Sequence, residues 1–398
     1  MCTPSNPRKF LFFTNSEYGQ VNIILSVAHE LCLRPNVEVH IASFPGNLVS
    51  FVRYYRSLML ILEVLSPRIK ELQDRIRMTG SSARIYFHPL RGISLKEARI
   101  RRIGTNTPTH APSLSGALRS FRRLPYYVAE WSGPEYMELY DSCVEIIQDL
   151  NAHAIVIEYF LSQAIDACRF LNLKFIIMTP NAPKDIIGRI QPYGSIFWKY
   201  PVMSSGIPYP MPWNSFNTVR KLGLNNTIPM FEPYIADAHY LCPATPKTDF
   251  PCVIPDNITL CGPILVPAAP VKEKDPELAS WLDSGSDDSW NYVEKGRVKI
   301  VDWLDVEPLA ILRHPISSAR STMVGQTASM KEFTRVEWLG IGIYGNKKSA
   351  PRVEASELSC ALTRIIGGGD EAARFRAAAK TLAEDTRKYS GQLWHATK

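Results

Sequence analysis

Residues 9–42 read KFLFFTNSEYGQVNIILSVAHELCLRPNVEVHIA, and the order of apolar and polar positions in them decides the fold class. Phe10-Leu11-Phe12-Phe13 is a continuous apolar run that opens into the polar loop Asn15–Gln20. A short apolar run without alternation predicts a strand buried on both faces. Over residues 21–34, Val21, Ile24, Leu25, Ala28, Leu31 and Cys32 share one helical face. Pro35-Asn36 ends that helix, and Val37–Ala42 (VEVHIA) alternates as a strand should. Strand, helix and strand within about 30 residues make the unit from which doubly wound parallel sheets are built.

The same rhythm returns further on. Residues 135–150 predict an amphipathic helix, 154–157 a buried strand, 161–171 a helix and 175–178 another buried strand. The order β-α-β-α predicts an α/β sheet with right-handed crossovers. Ligands on such sheets bind at the C-terminal ends of the strands, so the loops Asn15–Gln20 and Glu158–Phe160 are the candidate site. Residues 181–255 read as a longer irregular region rich in Pro and aromatics, among them Trp198, Tyr200, Tyr209, Trp213, Phe216 and Phe231. Such side chains suit either an apolar small-molecule pocket or the packing of a long loop.

The bulk numbers exclude several classes. At 398 residues the chain has room for two domains. Its 45% hydrophobic, 21% charged and 10% aromatic content is neither disordered nor fibrous. A net charge of +7 over this length does not signal nucleic acid. The basic region Lys96, Arg99, Arg101, Arg102, Arg119, Arg122 and Arg123 carries no nucleic-acid motif and reads as a solvated loop or a patch near anionic ligands. No Gly-x-Gly-x-x-Gly follows either candidate strand, which argues against a nicotinamide oxidoreductase. The 8 Cys are scattered, with no Cys-x-x-Cys pair, and are expected to be reduced, buried thiols of a cytoplasmic protein. Arg8 and Lys9 precede an apolar run too short for a secretion signal, and Ser57–Leu65 is too short for a membrane span.

Six stretches then carry a family resemblance in chain order. They are Asn15-Ser16-Glu17-Tyr18-Gly19-Gln20-Val21-Asn22 with Ala28–Leu31, then Glu38–Pro45, and Val156–Phe160 with Ala164–Cys168. Thr259–Ile264 with Asp275–Leu282, then Gly296–Leu304, and finally Arg335–Gly342 complete the set. Together they resemble the family 1 UDP-dependent glycosyltransferases, most closely the fungal branch. The resemblance implies the GT-B fold, in which two Rossmann-like domains face each other across the active-site cleft. It implies an acceptor-binding domain over residues 1–262 and a UDP-sugar-binding domain over 263–398. It also implies inversion at the anomeric carbon by direct displacement, with no metal and no cofactor beyond the UDP-sugar co-substrate. The other partner is a small hydrophobic hydroxylated acceptor, such as a fungal secondary metabolite, and glucose is the family's usual sugar. A monomer is expected.

An acceptor hydroxyl is a poor nucleophile until a base removes its proton. The family places a His in the first loop and an Asp after a later strand; by resemblance these positions are Gln20 and Glu158. An amide has no basic lone pair near neutral pH, so Gln20 is expected to orient the hydroxyl. Glu158 keeps the carboxylate and is the expected base, its pKa raised by burial. Glu17 is the second candidate base. Trp303 matches the residue that stacks on uracil, and Val306 stands where the family has a hydrogen-bonding Gln. Glu332 lies near the position of an Asp that binds sugar hydroxyls.

The donor half departs from the pattern twice. Ser284–Glu294 is a short polar bridge where the family has a strand, a turn, a helix and a strand. After His314-Pro315, Ile316–Gln326 contains no Gly-Gly turn to hold a diphosphate on backbone N–H groups. The donor domain therefore reads as incomplete. The alternative expectation is a catalytically impaired remnant that binds a small molecule without transferring sugar.

Overall fold

The computed structural model describes residues 6–45, 65–81, 83–103, 131–192, 234–264, 269–283, 335–349, 354–366 and 369–390. The aromatic cluster Trp198–Phe231, Arg119–Arg123, Trp303 and Glu332 lie outside these residues.

The chain opens with β1 (Arg8–Phe13), α1 (Tyr18–Cys32), β2 (Val37–Ser43), α2 (Leu65–Met78), β3 (Ile85–Pro89) and α3 (Leu95–Ile103). It continues with α4 (Gly133–Leu150), β4 (Ala154–Glu158), α5 (Ser162–Phe170), β5 (Ile176–Met178), α6 (Pro183–Ile187), β6 (His239–Cys242) and β7 (Ile258–Leu260). Beyond the last strand come α7 (Val271–Lys274), α8 (Pro276–Asp283), α9 (Ala355–Ile366) and α10 (Asp370–Ser390). The strands form one seven-stranded sheet, ordered β3-β2-β1-β4-β5-β6-β7, and every pairing in it is parallel.

That order explains the apolar run. β1 and β4 lie side by side in the middle of the sheet, with Phe12 in register with Val156. Successive β1 side chains point to opposite faces, and both faces are covered. Leu11 and Phe13 join one core cluster with Leu139, Cys143, Ile147, Ala164 and Ile165. Phe12 joins the other with Val21, Ile24, Leu25, Ala28, Leu72 and Ile76. A two-sided core removes the alternation that a half-exposed strand would show.

Two helices show how local sequence sets their limits. Ser132 and Glu135 form a capping box at the start of α4, with the Ser132 N–H donating to Glu135 Oε2 at 2.8 Å. The same helix ends on Asn151 at φ 46°, a left-handed conformation that Asn tolerates better than most residues. At the start of α1, Glu17 in extended conformation accepts through its carbonyl from the N–H groups of Gln20 and Val21 at 3.1 and 3.0 Å.

Two expectations are corrected. The basic stretch from Lys96 to Arg102 is the helix α3 and not a loop. Arg102 donates to the Trp131 carbonyl at 3.5 Å, and Arg101 lies 3.4 Å from Glu135. The region 181–255 is also less irregular than expected, because it contains α6 and the sheet strand β6. β6 is only four residues long, too short for a period to show, and its Tyr240 is fully buried.

The segments after residue 262 touch the loops of this sheet. Lys247 donates to Asp385 of α10 at 2.6 Å, and Arg335 lies 4.0 Å from Asp249. Phe250 packs against Trp338 with ring centroids 4.9 Å apart. Among the described residues every cysteine is a free thiol, and no helix is long and apolar enough to cross a membrane.

Candidate active site at the switch point of the sheet

From β1 the chain winds outward through β2 to β3, and from β4 it winds the other way through β5 to β7. The order reverses between β1 and β4, and it is outside the C-terminal strand ends at such a switch point that open α/β sheets bind ligands. Asn15, Glu17 and Gln20 follow β1, and Glu158 is the last residue of β4. The fold thus brings together two sequence segments 143 residues apart.

Glu158 is fully buried. Its Oε2 accepts from Asn15 Nδ2 at 2.8 Å, and its Oε1 accepts from the Phe160 N–H at 3.0 Å. Burial pushes its carboxyl up to about 8, against those hydrogen bonds, which favour the charged form. The neighbouring charge of Glu17 pushes in the same direction as burial. Glu17 is itself raised by burial, while its own and the Lys96 backbone groups and the charges of Arg99 and Lys96 oppose the rise. Gln20 stands in the first turn of α1, half-buried, with its Oε1 covered and without a hydrogen-bond partner. Of the four sequence-derived site residues, Glu158 ends β4 and Gln20 lies in the first turn of α1 after β1, while Trp303 and Glu332 lie outside the described residues.

Asn15 was not singled out from sequence. Its signal was position alone: it is the second polar residue after a doubly buried strand, and it is fully buried. A second carboxylate is buried between α4 and α5. Tyr136 of α4 donates to Asp166 of α5 at 2.5 Å, with Arg169 4.0 Å away, and burial pushes Asp166 up to about 7. Among the described residues no cluster of His, Cys, Asp and Glu is placed to hold a metal ion.

The two raised carboxyls make a stability prediction. For Glu158, whose pKa rises from 4.5 to about 8, the native state binds more protons than the unfolded chain between those values. Its contribution to stability is therefore least unfavourable below 4.5 and falls as the pH climbs through about 8. Glu158→Gln removes this loss. Thermal melts are expected to show the variant gaining on the wild type at alkaline pH, with a smaller difference under acidic conditions. A difference independent of pH would show that Glu158 does not carry this coupling.

No family model matches the chain. The glycosyltransferase sdnJ of Sordaria araneosa is 26% identical to it over 506 aligned positions, covering 96% of this chain and 95% of that one. Among solved structures, a UDP-glucosyltransferase from Polygonum tinctorium capable of glucosylating indoxyl superposes with a TM-score of 0.55 at 11% identity, over 98% of this chain and 94% of that one. Phytolacca americana UGT2, complexed with UDP-2-fluoro-glucose and pterostilbene, gives a TM-score of 0.52 at 11% identity over 98% and 94%. The glycotransferase of kitacinnamycin gives 0.50 at 12% identity over 98% of both chains. The structures supply the fold, and the chain has the GT-B architecture of these glycosyltransferases and is similar in sequence to a fungal one.

Proposed function

We propose that this glycosyltransferase moves a hexosyl group, glucose being the first candidate, from a UDP-sugar to a hydroxyl of a small apolar acceptor. The observation that carries the proposal is the Glu158 carboxyl, buried at the switch point, held by two donors and raised to about 8. A base is effective when its pKa lies near the working pH, and an ordinary exposed carboxylate is too weak for an alcohol.

In this reading residues 1–262 hold the acceptor and 263–398 hold the donor. The Glu158 carboxylate takes the proton of the acceptor hydroxyl as its oxygen attacks the anomeric carbon. The bond from that carbon to the diphosphate oxygen breaks, and UDP leaves with the electron pair. Attack from the face opposite the leaving group inverts the anomeric centre. Gln20, whose Oε1 is buried and unpartnered, orients the acceptor hydroxyl. Trp303 stacks on the uracil and Glu332 binds sugar hydroxyls. The reaction uses no metal and no further cofactor. The setting proposed is fungal secondary metabolism in the cytoplasm, by a monomer.

A second reading is a homologue that binds the acceptor without transferring sugar. The missing Gly-Gly turn after His314-Pro315 favours it. So does the alignment with the fungal relative, whose 506 positions exceed the 398 residues of this chain by 108. Titration calorimetry with UDP and UDP-glucose separates the two. The transferase reading expects binding that weakens about tenfold or more in Trp303→Ala, the loss of roughly 1.4 kcal/mol or more of stacking. Absence of binding at millimolar nucleotide supports the second reading.

A further inference from the structure

The geometry points to Asn15 as the residue that positions the Glu158 carboxylate for proton abstraction. This rests on the reading of Glu158 as the base. Asn15 and Glu158 are both fully buried, and the 2.8 Å bond between them is a direct tie between the two strand ends at the switch point. Together with the Phe160 N–H on Oε1, it places one donor on each carboxylate oxygen. The Asn15 backbone also bonds this carboxylate, and of its about four lone-pair sites one remains free to accept a proton. The two donors arrive from different loops, one after each strand, and so fix the rotation of the carboxyl plane.

The residue type suits the task. An amide donates to the carboxylate yet cannot take the proton itself, so it orients the base without competing with it. Gln20, the residue at the family's first-loop base position, has a buried Oε1 with no partner in this structure. Asn15 Oδ1 is likewise buried and unpartnered, so the contact to Glu158 is what orients the amide. The charged groups that act on this pair are Glu17 beside Glu158, with Arg99 and Lys96 of α3 facing Glu17. The arrangement reverses the division of labour that the family resemblance implies: the carboxylate after the later strand is the base, and the first loop orients it.

The test uses Asn15→Leu, which keeps volume and burial while removing the donor, and Asn15→Ala as a second variant. The Glu158 carboxyl is titrated directly by carbon-13 NMR on protein labelled at the glutamate carboxyls, with Glu158→Gln assigning the signal. Loss of a donor to the charged form is expected to move the Glu158 midpoint upward by about one pH unit, a tenfold change in proton affinity. The acid limb of kcat/KM should move with it, kcat falling about tenfold while the acceptor KM holds. A midpoint unchanged in both variants overturns the positioning role. Should Glu158→Gln transfer sugar at the wild-type rate, the reading of Glu158 as base fails, whatever the titration shows of Asn15.

Discussion

Glu158→Gln is expected to reduce sugar transfer by about 10²–10⁴-fold in kcat, the usual contribution of a general base. The substitution keeps the shape of the side chain and its acceptor oxygen, so Asn15 or Phe160 retains a partner and the fold is preserved. What disappears is a deeply buried carboxyl, held by two neighbouring residues and raised to about 8, that no other described residue at these strand ends reproduces. Steady-state rates with a UDP-sugar and a hydroxylated acceptor, read across pH, check this. In the wild type, activity should rise as the pH approaches about 8, because the carboxylate must be ionised to accept the proton. If the variant keeps its rate, Glu17 becomes the next base to test. Its carboxylate is buried and raised, and its charge already acts on Glu158.

The largest effects on stability are expected at the centre of the sheet. Phe12→Ala and Phe13→Ala should each cost about 3–5 kcal/mol, the sum of lost transfer energy and an unfilled cavity. Both rings are fully buried, yet they belong to different core clusters, one beneath α1 and α2 and the other beneath α4 and α5. In a sheet with one wet face, one of the two substitutions would be nearly silent. Denaturant unfolding of both variants measures this. A loss below about 1 kcal/mol at either position would mean that its face of the sheet is not packed as described.

Much of the fold was legible because its signals are local. The apolar run Phe10–Phe13, the helical spacing from Val21 to Cys32 and the alternation from Val37 onward each act within a few residues, and the elements found lie within a few residues of those expected. α1 begins at Tyr18, three residues ahead of the first apolar position of its pattern, because the turn Tyr18-Gly19-Gln20 carries no aliphatic residue to mark a helix start. α3 was missed because its run of basic residues masks a short amphipathic helix whose Leu95 and Ala98 are buried. β6 and β7 were missed because strands of four and three residues carry too little pattern to stand out from the surrounding loops.

The sequence by itself determined that strands and helices alternate, that β1 and β4 are buried on both faces, and that Glu158 and the first loop sit at strand ends. These follow from hydrophobic periodicity and turn chemistry, which act between near neighbours in the chain. Only the tertiary structure decided that β1 lies beside β4, and with it that Asn15 meets Glu158. Strand order depends on how crossovers pack two helical layers, a non-local choice that leaves no mark on either segment alone. The same pairing excludes water from the carboxyl, and that exclusion converts an ordinary glutamate into a candidate base.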